Sequence, residues 1–152
     1  MNNKKLVIDI EESIETKRSL LLIEDKIHNA IQIISKKLSK GGKVLLCGNG
    51  GSAADAQHLA AEFLIRLNPK INRRPLPAIS LATDISTILA CGNDFSFTKV
   101  FSRNLEALGK KNDILIAIST SGKSKNILNN LFINLIIFYF LLMFCIIPIN
   151  NL

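Results

Sequence analysis

Residues 41–66 read GGKVLLCGNGGSAADAQHLAAEFLIR, and this stretch decides the fold. The short apolar run at 43–47 (KVLLC) is bounded by glycines on both sides. Such a run reads as a strand buried on both faces. The bend at 48–52 (GNGGS) follows it, and the spacing predicts a helix over 53–67. Ser52 is expected to cap that helix, with Asp55 three residues on as its capping-box partner. Strand, glycine bend and helix in this order make the first half of a parallel βαβ unit.

The flanks continue the pattern. Upstream, residues 11–39 read as one helix. Leu20, Leu21, Ile23, Ile27, Ala30, Ile31, Ile34 and Leu38 recur near the 3.6 period, and Gly41-Gly42 ends it. Downstream, 68–75 is a polar, proline-bounded linker, and 76–81 (LPAISL) reads as a second strand despite Pro77 near its start. A short helix is expected over 84–91, a turn at Gly92-Asn93-Asp94, and a further helix over 97–108 closed by Gly109. Residues 114–118 (ILIAI) form a third buried strand, and 119–124 (STSGKS) a polar loop. The expected class is α/β: a doubly wound parallel sheet flanked by helices, with an N-terminal helix. In such sheets ligands sit at the carboxyl ends of the strands, and two of those ends here carry glycine and hydroxyls.

Composition narrows the function classes. The 152 residues fit one domain. Nineteen Lys and Arg against twelve Asp and Glu give a net charge of +7. The basic residues are scattered, aromatics are not interleaved with them, and no nucleic-acid motif is present, so no nucleic-acid partner is expected. A basic surface near a pocket instead attracts phosphorylated metabolites. Cys47, Cys91 and Cys145 are far apart and form no CxxC pair, so they read as reduced thiols of a reducing compartment. Acidic residues interrupt the N-terminal apolar stretch, so no signal peptide is read and a cytoplasmic location is expected.

Three stretches carry chemistry. In the first bend, glycines let backbone N–H groups approach a ligand, the following helix offers its positive end, and Asn49 and Ser52 offer side-chain hydrogen bonds. A plain strand-to-helix turn remains the alternative. The GxGxxG dinucleotide fingerprint has Ala53 in place of its third glycine and lacks the later acidic residue, which weakens a nicotinamide reading. In the 119–124 loop, hydroxyls and backbone N–H groups suit a phosphate monoester. A loose phosphate-loop match also runs from Ala117 to Gly122-Lys123-Ser124, but no acidic residue follows Asp113 to hold magnesium. Third, His58 and Glu62 share a helix face at i, i+4. They are candidates for a general base or a metal pair, with an exposed polar face as the alternative. Arg66 continues that face toward Glu62 or a ligand anion.

Together these motifs resemble the sugar isomerase (SIS) family of phosphosugar domains, and within it the phosphoheptose isomerases. The resemblance rests on residues 41–66, Arg74 to Ala78 (RPLPA), Gly92 to Phe95 (GNDF), 101–109 (FSRNLEALG) and 113–124 (DILIAISTSGKS). It covers roughly residues 10–128. It implies a tetramer with active sites between subunits, and isomerisation of sedoheptulose 7-phosphate to D-glycero-D-manno-heptose 7-phosphate, a step toward lipopolysaccharide core heptose. It implies that Ser119, Thr120, Ser121 and Ser124 hold the phosphate. Asn49, Gly50, Ser52, Arg66 and Asp94 would bind the rest of the substrate. Glu62 would carry the proton between C1 and C2 through an enediol, and His58 and Glu62 would be two of the zinc ligands found in some members.

The pattern stops near residue 128. No charged residue follows Lys125, and 131–147 holds only Asn134 as a polar residue. The family's C-terminal helix, with its glutamine, histidine and remaining zinc ligands, has no match. Residues 1–128 therefore read as a partial SIS domain and 129–152 as an apolar tail. A frameshift or interruption near 126–131 is the favoured account of that tail. The 131–149 segment is long enough for a marginal membrane helix, which is the less favoured account. Weak or absent activity is the expectation, and a non-catalytic phosphosugar-binding module or a membrane-tethered fragment are the alternatives.

Overall fold

In the computed structural model, which describes residues 3–129, three parallel strands form one sheet. They are β1 (Val44–Gly48), β2 (Ala78–Ser80) and β3 (Ile114–Ile118), in the order β2-β1-β3. Helices α2 (Glu24–Ser39), α3 (Gly51–Leu64), α4 (Ile85–Asp94), α5 (Val100–Leu108) and α6 (Lys125–Leu128) flank it, while the apolar side chains of α1 (Asn3–Arg18) are exposed. The expected apolar C-terminal helix and membrane segment lie outside the described residues. Among the described residues no helix is long and apolar enough to cross a membrane.

Both faces of the sheet are covered, as continuous apolar strands require. Leu45, Cys47, Leu115 and Ala117 face Cys91 of α4, Phe101 and Leu105 of α5, and Ile127 of α6. Val44, Leu46, Ile114, Ile116 and Ile118 face Ala56, Leu59, Ala60 and Phe63 of α3 and Ile33, Ile34 and Leu38 of α2. The chain leaves β1 toward one face and β3 toward the other. The crevice between the tips of β1 and β3 is therefore the topological switch point of the sheet, where such folds bind ligands.

Several local expectations needed correction. The N-terminal helix begins at Asn3 and is interrupted by a 3-10 turn at Ser19–Ile23. Thr16 Oγ1 donates to the Glu12 carbonyl (2.9 Å) and Ser19 Oγ to the Thr16 carbonyl (2.7 Å), a pattern that competes with helical bonding. Ile23 lies at φ −121°, ψ 20°, outside the helical region. The apolar stripe consequently splits: Ile34 and Leu38 reach the core, whereas Leu20, Leu21 and Ile31 are exposed. Strand β2 is shorter than the apolar run, because Pro77 has no N–H to give the ladder. Its carbonyl still accepts from Val44 N at 2.9 Å. Gly92, Asn93 and Asp94 are not a turn but the last residues of α4, which Asp84 caps by accepting from Thr87 N. Strand β3 has the expected bounds.

At the amino ends of the strands, Asp113 ties β1 to β3. Its carboxylate accepts from Lys43 N (2.9 Å), from Lys43 Nζ, and from Lys110 N (2.8 Å). Burial pushes the Asp113 carboxyl up, but these donors together outweigh it and hold the group below the usual carboxylate value.

Candidate active site

Gly48 and Ile118 are Cα partners at the ends of β1 and β3. The two polar loops therefore leave the sheet side by side, one strand spacing apart, about 4.8 Å. Gly48 admits no side chain: an added Cβ would stand 2.4 Å from the Ser52 carbonyl oxygen and 2.8 Å from Ser52 Cβ. The first turn of α3 thus rests directly on the tip of β1. Gly50, at φ 55°, ψ −123°, makes the reversal, in a region open to glycine. Its carbonyl accepts from Ala53 N at 3.0 Å. The expected Ser52 cap and Asp55 capping box are absent, because Gly50 is the N-cap and makes no side-chain cap bond. Ser52 is instead buried inside the first turn, against Gly48.

The second loop folds back on itself through Gly122, at φ 63°. Ser119 Oγ accepts from Gly122 N at 3.1 Å and Ser121 Oγ from Lys123 N at 3.2 Å. Ser119 is buried, Thr120 and Ser121 are exposed, and Ser124 is half-buried at the start of α6 without a side-chain capping bond. Lys123 and Lys125 are exposed beside them. The loop presents hydroxyls and cations at one strand tip, which suits a phosphate.

The two loops are joined by a pair of residues 77 positions apart. Asn49 Nδ2 donates to Asn126 Oδ1 at 2.9 Å, and Asn126 Nδ2 donates to Asn49 Oδ1 at 2.7 Å. Asn126 is only 3% exposed. Sequence reasoning missed Asn126, placing it at the edge of the uncharged tail. The available signal was an amide two residues after the hydroxyl-rich loop, ahead of the buried Ile127.

Other expected site residues lie elsewhere. Helix α3 runs away from the strand tips, and at 1.5 Å per residue Glu62 lies about 15 Å along it from Ser52. Leu76 N, just before β2, donates to the Phe63 carbonyl at 3.1 Å, which sets this end of α3 at the amino end of the sheet. Glu62 therefore lies well down α3 from the strand tips of its own chain. His58 Nε2 stands 3.7 Å from Glu62 Oε1, with the imidazole 71% and the carboxylate 24% exposed. Glu62 Oε2 is buried and has no hydrogen-bond partner among the described residues. Arg66 does not pair with Glu62; its Nη1 donates to the Pro69 carbonyl at 3.3 Å. Arg73, which sequence reasoning left in a basic linker, closes this end of α3 by donating to the Glu62 and Phe63 carbonyls, the latter at 2.8 Å. Asp94 is exposed and accepts from Asn93 Nδ2 at 2.8 Å.

A profile of the SIS domain family matches residues 11–131. The chain belongs to the SIS domain family. Within it, similarity lies with phosphoheptose isomerases. The one from Helicobacter pylori is 48% identical over 125 residues, which is 82% of this chain and 63% of the relative. The one from Desulfovibrio desulfuricans is 60% identical over 95 residues, 62% of this chain and 44% of the relative. Among solved structures, a phosphoheptose isomerase from Francisella tularensis superposes with a TM-score of 0.82 at 37% identity, over 91% of this chain and 74% of that one. The chain thus spans between 44% and 63% of the length of these curated relatives. The matched span contains the parallel sheet and both glycine- and hydroxyl-bearing loops.

Zinc is the metal that the family resemblance implies. A catalytic zinc takes three protein ligands. His58 and Glu62 supply two, and among the described residues no group of three or more metal-ligating side chains occurs. These residues do not by themselves fit zinc.

Proposed function

We propose that this chain binds sedoheptulose 7-phosphate and isomerises it to D-glycero-D-manno-heptose 7-phosphate through an enediol, weakly because nothing after residue 128 matches the family's catalytic C-terminal helix, at a site assembled from more than one copy. The observation that carries the reading is the pair of loops at the β1–β3 switch point, tied by Asn49 and Asn126, with an open hydroxyl-rich cradle on one side. In this reading Thr120, Ser121 and Ser124 hold the phosphate, while Ser119 shapes the loop. Asn49 and Gly50 line the sugar side. Ser52, beneath them, supports the bend, and Asp94 and Arg66 serve from outside it.

Glu62 is the base. An aldose–ketose shift needs one carboxylate beside two adjacent carbons, removing a proton from one and returning it to the other while the hydroxyl proton passes between their oxygens. The Glu62 side chain keeps 24% of its surface exposed, so its carboxylate can be reached from a neighbouring copy. Its distance from the cradle of its own chain is the reason for the second copy: Glu62 serves the cradle of a neighbour, in keeping with a homotetramer. No step of the proposal runs through zinc. The product would supply lipopolysaccharide heptose in the cytoplasm.

Incubation with sedoheptulose 7-phosphate in deuterium oxide tests the reading. Deuterium should enter the carbon-bound positions of the recovered sugar phosphate, and Glu62→Gln should abolish this while leaving phosphate binding intact. Mixing Glu62→Gln with Ser121→Ala chains should restore part of the exchange, because one mixed site then receives an intact base and an intact cradle. A wild-type chain that neither binds the sugar phosphate nor exchanges its protons would end the proposal. Exchange that fails to recover on mixing would end the shared-site part.

A further inference from the structure

We propose that Asn126 is a positioning residue, which holds the sugar-side bend in register with the phosphate-side loop through the side chain of Asn49. The inference rests on the functional reading above and adds a residue to it. Three observations point the same way. The two amides exchange both of their hydrogen bonds, at 2.7 and 2.9 Å. Asn126 is 3% exposed and is followed by Ile127, 1% exposed, which packs among Leu45, Phe101 and Leu105. Gly48 and Ile118 are register partners directly beneath the two loops.

The physical logic follows from where the chain goes. Helix α3 and helix α6 leave the switch point toward opposite faces, so backbone packing fixes each loop to its own face. Above the last rung of the ladder, the amide pair joins them. The amide plane has two polar ends, and a reciprocal pair fixes both distance and orientation. Ile127 gives the tie a rigid anchor on one side. On the other side Asn49 spends half of its capacity on Asn126, keeping one N–H and one lone pair for a ligand. The tie therefore aims the remaining Asn49 donor, and the Gly50 bend with it, at a molecule whose phosphate sits in the 119–124 loop. A ligand that touches only the phosphate loop has no use for this alignment, whereas a sugar phosphate spanning both loops depends on it.

Binding of two ligands to the full 152-residue chain separates these cases. Inorganic phosphate probes the 119–124 loop alone, and sedoheptulose 7-phosphate probes both loops. Asn126→Ala should weaken the sugar phosphate by about tenfold or more, the scale of losing a buried hydrogen-bonded pair, and inorganic phosphate by less than about threefold. Asn126→Asp keeps one acceptor for Asn49 Nδ2 and places a second oxygen against Asn49 Oδ1, so it should not rescue binding. Equal losses for both ligands would show that Asn126 supports only its own loop, and unchanged binding would show no role; either overturns the inference.

A second measurement keeps the tie testable apart from the functional reading. Unfolding free energies of Asn49→Ala, Asn126→Ala and the double variant form a cycle. Non-additive losses, with the double variant little worse than Asn126→Ala, support the tie; additive losses overturn it. A wild-type chain that holds the sugar phosphate no tighter than phosphate, together with non-additive losses, overturns the functional reading and leaves the tie standing.

Discussion

Gly48→Ala is the sharpest test of how the first bend is built. The new Cβ would meet the Ser52 carbonyl oxygen at 2.4 Å and the Ser52 carbonyl carbon at 2.6 Å. Ordinary contact begins at 3.4 Å, so about 1 Å must be found. Both partners are backbone, and Gly48 is also held in the ladder opposite Ile118. No flexible side chain absorbs the shift, so the start of α3 must move off the strand tip. Overpacking of this kind costs about 3 kcal/mol. For a chain of this size that lowers the melting temperature by roughly 6–12 °C. A 1 Å displacement of the bend also costs about a hundredfold in any turnover that depends on it. Gly51→Ala, three residues on, is the control. An added Cβ there meets nothing within 4 Å, and Gly51 has no positive φ. Removing a glycine from the first turn of α3 should leave stability unchanged or raise it by a few tenths of a kcal/mol, roughly. Thermal melts of both variants, with isothermal titration of sedoheptulose 7-phosphate, decide the matter. A Gly48→Ala chain that melts and binds like wild type would refute the packing argument.

Two further predictions concern the scaffold. Asp113→Asn removes the charge that gathers Lys43 and the Lys110 N–H, and should cost about 3 kcal/mol in urea unfolding at pH 7. The folded Asp113 carboxyl is held below its unfolded value, so its contribution is fully present above that unfolded value and disappears as pH falls through the folded one. Wild type should therefore lose stability below about pH 4 more steeply than Asp113→Asn does, and parallel acid profiles would contradict this. Arg73→Ala leaves the Glu62 and Phe63 carbonyls at the end of α3 without their guanidinium donor, and should lower the urea midpoint by an amount worth about 1–2 kcal/mol. An unchanged midpoint would show that water replaces the guanidinium without loss.

Local patterns carried much of this molecule. The run ILIAI at 114–118 became a strand with those bounds, because a continuous apolar segment between polar turns has few other stable states. The glycines at 48 and 50 marked a tight bend for the reasons the geometry then showed, a close approach and a positive φ. Where hydrogen bonding competes at short range, the pattern misled. Ser52 and Asp55 read as a capping box, yet Gly50 starts the helix two residues earlier and carries Ser52 into the interior.

The amino-acid sequence by itself determined the order of strands and helices, the two glycine- and hydroxyl-bearing bends and the family, since each depends on residues close together in the chain. Only the tertiary structure decided what those pieces meet. The order β2-β1-β3 places β1 beside β3, and so joins Asn49 to Asn126 across 77 positions. The same geometry sends α3 down the sheet and carries Glu62 away from the cradle of its own chain. Strand order and helix direction arise from burying both faces of a sheet at once, a condition on the whole chain that no local periodicity encodes.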